Sequence, residues 1–477
     1  MPQSIIFSSL PKGVFCVFKK YIGNAAFYKT VISVAMPIMI QNAITNFVSL
    51  LDNIMVGRLG TLEMSGVSIV NQLMFVFNIC FFGAAAGAGI FTAQFSGSGD
   101  HEGVRHTFRF KVIAMLVLGT VLTGVLAVAG APLSSLYLKG NATAEEVSLT
   151  LSFAKDYIKV MIFGLLPFAL SNAYSSTMRE TGQTVVPMVS SVSAVGVNLM
   201  LNYILIFGKL GAPALGVVGA AVATVISRWA ELLINVLWLH THSATNPFIK
   251  GAYRGFYIPK RLVGQICIKG LPLLSNELCY GSGIAILNQC HSTRGIDVVA
   301  ATNISGVVFN LFSVCFLALG SAVSIIMGQM LGANKPHSEI RDTNRKLIAF
   351  AVMICVVVGG FMAAFSGLFP KIYNTSDDVR SLAQSLICIS AAVMPVSAYN
   401  FAAFFTLRSG GKSLLTFLFD GGSIWILFVP TAFLLSRLTS IPIIPLYAIC
   451  QGLEIIKSLF GGYLIKKGSW LQNLTNK

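Results

Sequence analysis

Residues 112–131 read VIAMLVLGTVLTGVLAVAGA, a stretch without a single charged side chain. A helix that crosses the hydrocarbon core of a bilayer needs about 20 mainly apolar residues. This stretch therefore predicts a membrane-spanning helix. Two longer stretches, 347–369 and 382–407, are also free of charge. The three together indicate an all-α integral membrane protein.

The overall composition excludes a soluble globular protein. Only 10% of the 477 residues are charged and 55% are apolar, whereas a soluble domain carries roughly 25% charged residues. A longer soluble chain divides into several domains with charged surfaces, so one large core cannot account for this deficit. The mean hydropathy of +0.77 supports the same conclusion.

Turn signals and charge clusters divide the rest of the chain into further apolar stretches. They predict twelve spans, near 31–56, 64–94, 110–131, 154–177, 184–207, 216–239, 263–289, 298–328, 347–369, 382–407, 414–436 and 442–465. Most of the 33 Lys and Arg residues fall before the first span and in alternate loops after it. Because cytoplasmic loops keep positive charge, we expect a multi-pass protein of the cell inner (plasma) membrane with both termini in the cytoplasm. The net charge of +16 then faces anionic lipid of the bilayer, and no nucleic-acid partner is expected.

The sequence repeats itself at about half its length. A shift of 235 residues aligns Gln94 with Gln329, and a shift of 229 residues aligns Arg179 with Arg408. Internal repeats are the build of many secondary transporters, so we expect two six-helix lobes related by this repeat. The predicted parts are a cytoplasmic N-terminal arm (1–30), an N-lobe with helices 1–6 (31–239), a cytoplasmic linker (240–262), a C-lobe with helices 7–12 (263–465) and a cytoplasmic tail (466–477).

Five of the 17 acidic residues fall within the predicted spans: Asp52, Glu231, Glu277, Asp420 and Glu454. Acids in the hydrocarbon region are costly and mark functional sites by default. The i, i+3 spacing predicts two structural pairs on single helices, Arg228 with Glu231 and Lys457 with Glu454. Asp420 lies near Lys412 and Arg408, so we expect it to be paired as well.

Asp52 and Glu277 have no basic residue within reach on their own helices. The first helix carries a polar stripe on one face, formed by Gln41, Asn42, Thr45, Asn46, Ser49, Asp52 and Asn53. One side of the seventh predicted helix similarly carries Glu277, Tyr280, Gly281, Ile284 and Asn288. A polar stripe does not face lipid, so it faces a neighbouring helix or a wet cavity.

Two interpretations of these polar faces remain open. Hydrogen bonds between helices that only hold the bundle together account for the Asn and Thr residues. They account poorly for two unpaired acids, which can instead hold a proton, a sodium ion or an organic cation. Competition of an ion and a substrate for one carboxylate is sufficient for antiport, if each occupied state favours a different arrangement of the lobes.

Motifs of other protein classes are absent from the sequence. The GGKS stretch at 410–413 lacks the earlier glycine of a phosphate-binding loop, and the scattered histidines do not form a zinc-protease pattern. We therefore expect no enzymatic activity, no cofactor apart from H+ or Na+ as the coupling ion, and no metal site other than Na+ at Asp52 or Glu277.

Several stretches in both halves resemble the multidrug and toxic compound extrusion (MATE) family. They are LDNIMVGRLGTLEMSGVSIVNQ (51–72), RETGQTVVP (179–187), VNLMLNYILIFGKLGAPALGVVGAAVATVISR (197–228), LPLLSNELCYGSG (271–283) and GSAVSIIMGQMLGANK (320–335). The resemblance covers nearly the whole chain. It implies twelve helices in two six-helix lobes around a cavity, and export of amphipathic, usually cationic, organic compounds or drugs in exchange for H+ or Na+.

The resemblance also implies site residues. Asp52 matches the family's acid on helix 1, and Glu277 resembles the acid that many bacterial members carry on helix 7. Proton-coupled members carry an Asp on helix 5 after an Asn, where this sequence has Asn198 and Asn202. Sodium-coupled members often add an Asp on helix 10, where this sequence offers Asn400. The coupling ion is therefore left open between H+ and Na+.

The sequence predicts a monomeric, cation-coupled efflux antiporter. The alternative is a flippase for lipid-linked sugars or other lipids on a related fold, which is expected to line its cavity with several Arg or Lys residues. The unpaired charges here are acidic, which favours the exporter. An ion channel or a membrane-embedded scaffold is a more distant alternative, because the lobe repeat with off-axis acids is atypical of a channel.

Overall fold

The computed structural model describes residues 20–136 and 143–475. The all-helical prediction is confirmed, since no β-strand occurs in these ranges. The long helices are α1 (Ala25–Gly57), α2 (Thr61–Ser98), α3 (His101–Ser135), α4 (Ala144–Glu180), α5 (Val185–Phe207), α6 (Gly216–Thr241), α7 (Lys260–Ser292), α8 (Ile296–Gly332), α9 (His337–Ala364), α10 (Asp377–Ser409), α11 (Ser413–Leu438) and α12 (Ile443–Lys467). Most of the predicted N-terminal arm lies outside the described residues.

Ten of these helices are long and apolar enough to cross a membrane. The two that are not among them, α4 and α7, carry polar residues within their apolar stretches. In α7 the interruption includes Asn276 and Glu277, and in α4 it includes Ser171 and Asn172. The chain is therefore a multi-pass membrane protein in which two helices are less apolar than the rest.

The helices form two compact units, which divide inside α1 and α7 rather than in a loop. The first, called the N unit here, comprises Ile40–Leu274. The second, called the C unit, comprises Ser275 onwards together with the start of α1 up to Met39. Each unit has its own apolar core, with fully buried Phe81 and Phe108 in the N unit and Phe419 and Trp470 in the C unit.

Within the N unit, α2 and the start of α7 pack closely because glycines face each other. A Cβ atom added to Gly87 would lie 2.5 Å from the Cα atom of Gly270. No side chain fits at that distance, so glycine at position 87 allows the two backbones to approach. Small residues are the usual means by which membrane helices come into such contact.

The segment between α6 and α7 is held against α3. Arg109 donates hydrogen bonds to the carbonyl oxygens of Gly251, Ala252 and Tyr257 at 2.9, 2.7 and 3.1 Å. One turn earlier, Arg105 donates to the carbonyl of Phe248 at 3.1 Å. The two guanidinium groups thus bind the backbone of the predicted linker to the N unit.

Helix α11 is not a regular α-helix. Two π-helical segments, Leu418–Gly422 and Ile424–Phe428, lie between its first turn and its last ten residues. Such widened turns occur frequently at functional sites. The first of them contains Asp420, one of the five acids within the predicted spans.

Candidate functional site

The N unit contains a cavity of about 420 Å³. Five helices line it: α1, α2, α4, α5 and α6. Its wall combines aromatic and apolar side chains, such as Tyr157 and Phe168, with amides, hydroxyls and two charged groups, Asp52 and Arg228. A cavity of this size and mixed lining is typical of small-molecule sites.

A chain of hydrogen bonds connects the Asp52 carboxylate to α5 and α6. The Asn202 amide donates to Asp52 Oδ1 at 2.7 Å and to Asn198 Oδ1 at 3.1 Å. Asn198 in turn donates to the hydroxyl of Thr224 at 3.3 Å. Asn198 and Asn202 are one helical turn apart, so both amides face α1. The structure thus brings together three residues that were predicted separately.

The Asn198 amide fits this cluster in a second orientation. When it is turned over, its nitrogen lies 3.0 and 3.1 Å from the two carboxylate oxygens of Asp52. In the first orientation an amide oxygen occupies that place, so three oxygen atoms converge there. Convergent oxygens repel each other unless a proton or a cation lies between them. The Asn198 amide can therefore either donate a hydrogen bond to the Asp52 carboxylate or share a cation with it.

One oxygen of the cluster has no hydrogen-bond partner among the described residues. Asn202 Oδ1 is buried, and Asn202 as a whole is only 2% exposed. An unsatisfied buried acceptor costs about 1–3 kcal/mol, and such a group in a native structure points to an unseen partner. A water molecule or a cation beside Asp52 would supply that partner.

Arg228 does not neutralise Asp52 by direct contact. Its guanidinium forms an ion pair with Glu231 on the same helix at 3.3 Å and lies 4.6 Å from the centre of the Phe168 ring. The predicted pair of Arg228 and Glu231 is confirmed. Since this pair is neutral as a whole, Asp52 supplies the remaining charge of the cavity.

The other residues of the predicted stripe on α1 take different positions. Ser49 lines the cavity with Asp52. Gln41 accepts a hydrogen bond from Arg179 at 3.5 Å. Thr45 and Asn46 are exposed, and Asn42 is half-buried. The stripe therefore meets the cavity only at its C-terminal end.

The C unit contains a second polar cluster around Asp420. Lys457 on α12 is only 6% exposed, and its ammonium lies 2.6 Å from Asp420 Oδ1. The other carboxylate oxygen accepts a hydrogen bond from the Asn276 amide at 3.1 Å. Asn276 Oδ1 in turn accepts one from the backbone of Gly421 at 2.8 Å.

The predicted pair of Lys457 and Glu454 is wrong. Lys457 reaches across to α11 and pairs with Asp420. Glu454 instead accepts a hydrogen bond of 2.6 Å from the Asn400 amide on α10. The expectation that Asp420 is paired is right, but its ion-pair partner is Lys457 on α12 and not the nearby Lys412 or Arg408 that the sequence suggested.

The predicted site residues of α7 do not all lie in the Asp420 cluster. Glu277 is half-buried and follows Asn276 directly, so it lies next to the Asp420 cluster. Tyr280 interacts electrostatically with Asp420 and Glu277. Asn288, two turns further along, is exposed.

Sequence reasoning missed a buried ion pair in the N unit. Lys111 on α3 is fully buried, and its ammonium pairs with the Glu180 carboxylate at the end of α4 and contacts the Thr177 hydroxyl at 3.2 Å. The only signal for it is the position of Lys111, directly before the uncharged stretch 112–131. A lysine there is equally consistent with a cytoplasmic loop.

Comparisons with known proteins agree with this architecture. A relative from Thermotoga maritima named "Probable multidrug resistance protein NorM" is 25% identical over 431 residues, which cover 89% of this chain and 89% of the relative. "Multidrug resistance protein NorM" of Vibrio vulnificus is 25% identical over 416 residues, 85% of this chain and 87% of the relative.

A solved structure has a similar fold. It is a multidrug resistance MATE family transporter of the MOP superfamily in an outward-facing conformation, with a TM-score of 0.83 at 20% identity, covering 96% of this chain and 98% of that one. The family model MatE matches residues 37–204 and 272–434, well over half of the sequence. The chain therefore belongs to the MatE family of membrane transporters.

Proposed function

We propose that this protein is a secondary active exporter that exchanges amphipathic organic cations, including drugs, for H+ or Na+ by alternating access. Its twelve long helices cross the inner membrane in two six-helix lobes, with both termini in the cytoplasm. Family membership supports transport, and the relatives that bear multidrug resistance names support a broad range of organic substrates.

The observation that carries the proposal is the cluster of Asp52, Asn198 and Asn202. It offers a carboxylate, two amides and a buried oxygen without a partner among the described residues. Oxygen ligands of this type suit hard cations, and a carboxylate can alternatively hold a proton. Transporters place coupling ions on such groups within the membrane.

The cavity next to this cluster explains how exchange would follow. Asp52 faces a space with aromatic walls, where an organic cation gains both charge neutralisation and contact with aromatic rings. One carboxylate cannot be neutralised twice at the same time. Binding of H+ or Na+ from outside therefore releases the organic cation, and the reverse exchange occurs on the inside.

Glu277 is the second exchangeable acid in this proposal, and it lies in the C unit. The other two acids of that unit that fall within the predicted spans have strong partners, Lys457 for Asp420 and Asn400 for Glu454. Glu277 is half-buried on α7. It is therefore the acid of that unit that we propose to exchange a proton or an ion.

Uptake of a fluorescent organic cation such as ethidium into inverted membrane vesicles tests the proposal. A proton gradient and a sodium gradient are imposed separately on wild type, Asp52→Asn and Glu277→Gln. The matched controls are Asp377→Asn, whose carboxylate is 95% exposed, and Glu339→Gln, whose side chain is 48% exposed. We expect uptake to follow one gradient, to be lost in Asp52→Asn and Glu277→Gln, and to persist in both controls. Uptake that depends on neither the proton gradient nor the sodium gradient would refute antiport.

A further inference from the structure

The two units each contain a carboxylate held by an asparagine amide. In the N unit, Asp52 on α1 is bound by Asn202 on α5 at 2.7 Å. In the C unit, Asp420 on α11 is bound by Asn276 on α7 at 3.1 Å. Helices α7 and α11 follow α1 and α5 by six in the element order, so the same two helices of each half carry such a pair, with acid and amide exchanged and at different positions along the helices.

A basic residue inside the apolar part of the sixth helix of each half is related residue by residue by the repeat. The shift of 229 residues that aligns Arg179 with Arg408 also aligns Arg228 on α6 with Lys457 on α12. Arg228 turns to Glu231 on its own helix, at 3.3 Å. Lys457 instead reaches the carboxylate itself, at 2.6 Å from Asp420 Oδ1. Each half therefore contains a carboxylate, an amide and a basic side chain on equivalent helices. The basic side chain pairs with that carboxylate only in the C unit.

The two carboxylates differ in how much room they have for an additional ion. Asp52 borders a cavity of about 420 Å³ and has a buried oxygen of Asn202 beside it without a partner in the described part of the chain. Both oxygens of Asp420 are occupied, one by the ammonium and one by an amide. Lys457 is only 6% exposed and lies over the ring of Phe419 at 5.3 Å, which leaves the ammonium little freedom.

We propose that Lys457 is a built-in cation that fills, in the C unit, the position at which a small monovalent cation would otherwise bind to the Asp420–Asn276 pair. An exchangeable site at a carboxylate–amide pair of this kind then exists only in the N unit. Lys457 thereby makes the two halves of a repeated transporter unequal at this pair, and it leaves Glu277 as the exchangeable acid of the C unit. The inference deepens the proposed function, on which it rests for the role of Asp52.

Removal of the lysine tests the inference because it should create a site. The probe is radioactive Na+, with its binding measured by equilibrium dialysis on the purified full-length protein at pH 8. We expect Lys457→Gln to bind one more equivalent of Na+ than wild type. The double variant Lys457→Gln/Asp420→Asn is the matched control, because it lacks the same ammonium but also the carboxylate. We expect it to return to the wild-type value, and equal binding by wild type and Lys457→Gln would overturn the inference.

A second variant decides the matter if Lys457→Gln does not fold. Asp420→Asn in the otherwise wild-type protein should leave Na+ binding unchanged, because the inference gives the ammonium sole occupancy of that position. Loss of one equivalent in Asp420→Asn would show that Asp420 binds an exchangeable ion, and would overturn the inference. Failure of the proposed function is distinguishable, since it appears as full transport by Asp52→Asn and leaves the difference between Lys457→Gln and wild type intact.

Discussion

The Asn202 amide on α5 donates a hydrogen bond of 2.7 Å to the Asp52 carboxylate on α1. This contact joins two helices that are far apart in the sequence and orients the carboxylate at the wall of the N-unit cavity. It also leaves the other end of the Asn202 amide, its buried oxygen, free to contact an ion bound at Asp52.

Substitution of Asn202 by Ala should change the affinity of Asp52 for the coupling ion, in a direction that depends on the ion. A hydrogen bond to a charged group contributes about 1.5–3 kcal/mol, and 1.4 kcal/mol corresponds to a tenfold change in affinity. If the coupling ion is H+, loss of this hydrogen bond to the charged carboxylate favours protonation, and we expect the H+ concentration that half-saturates transport to fall by about 10- to 100-fold. If it is Na+, we expect the half-saturating concentration to rise, because the Asn202 Oδ1 atom is lost as a ligand. Asn78→Ala is the control, because Asn78 lines the same cavity but is not part of the Asp52 cluster. Equal effects of the two substitutions would contradict the role of Asn202.

The buried pair of Lys111 and Glu180 should be important for stability. Removal of one partner of a buried ion pair leaves an uncompensated charge and costs about 3–5 kcal/mol. We expect Lys111→Met to lower the midpoint of thermal unfolding in detergent strongly. We expect Lys111→Met/Glu180→Gln to recover part of the loss, because the remaining charge is then gone.

Lys159 and Asp156 provide the control for that experiment. They form an exposed ion pair at 2.8 Å, with side chains that are 73% and 43% exposed. Exposed pairs contribute about 0–1 kcal/mol, so Lys159→Met should change the unfolding midpoint little. A similar decrease in the unfolding midpoint for Lys111→Met and Lys159→Met would show that the buried pair contributes no more to stability than the exposed one.

The three hydrogen bonds of Arg109 should protect the linker from proteolysis. Lysine keeps the positive charge but lacks the planar fork that reaches three carbonyl groups. We expect Arg109→Lys to accelerate trypsin cleavage at Lys250 and Arg254 by about tenfold or more, since several hydrogen bonds to a charged group are lost. Arg58→Lys, an exposed position at the end of α1, serves as the control. An unchanged cleavage rate in Arg109→Lys would mean that the linker is held by other contacts.

The start of α4 should respond to acid. The backbone N–H of Thr143 and then its hydroxyl donate to the Glu146 carboxylate, which lies outside the apolar stretch 154–177, and they lower the pKa of Glu146. Because the folded pKa lies below the unfolded value of about 4.3, this cap stabilises the helix at neutral pH and is lost as the pH falls through the lowered value.

A titration of the Glu146 carboxyl group followed by NMR checks this prediction. We expect its midpoint to lie below about 4.3 in wild type and to return toward that value in Thr143→Ala, which removes the hydroxyl of the capping box. The same midpoint in both proteins would show that the hydroxyl does not affect Glu146.

The helical architecture could be predicted from the sequence because it depends on local composition. The uncharged stretch 112–131 lies within helix α3, and the stretch 347–369 begins inside α9 and continues past its end at Ala364. The division into two units inside α1 and α7 could not be predicted this way, because it depends on which helix packs against which. The close contact of Gly87 with Gly270 could not be predicted either, because it also depends on which helices pack together.

The candidate site was predictable in part. Asp52 stands out in the sequence as an acid without a basic neighbour in an apolar helix, and Asn202 is a polar residue in another apolar helix. Both residues could therefore be predicted, but the hydrogen bond between them could not. Spacing on one helix also predicted the pair of Arg228 and Glu231 correctly. The same rule failed for Lys457, because its long side chain reaches a carboxylate on another helix while Glu454 has a partner on a third.

Release of the coupling ion upon substrate binding tests the central claim most directly. Tetraphenylphosphonium is added to purified protein, and the H+ or Na+ that leaves the protein is measured with a pH or sodium indicator. Because coupling between two ligands is reciprocal, competition at Asp52 predicts release of one ion per organic cation bound in wild type and none in Asp52→Asn. Binding of the organic cation without ion release in wild type, or equal release in Asp52→Asn, would contradict the account.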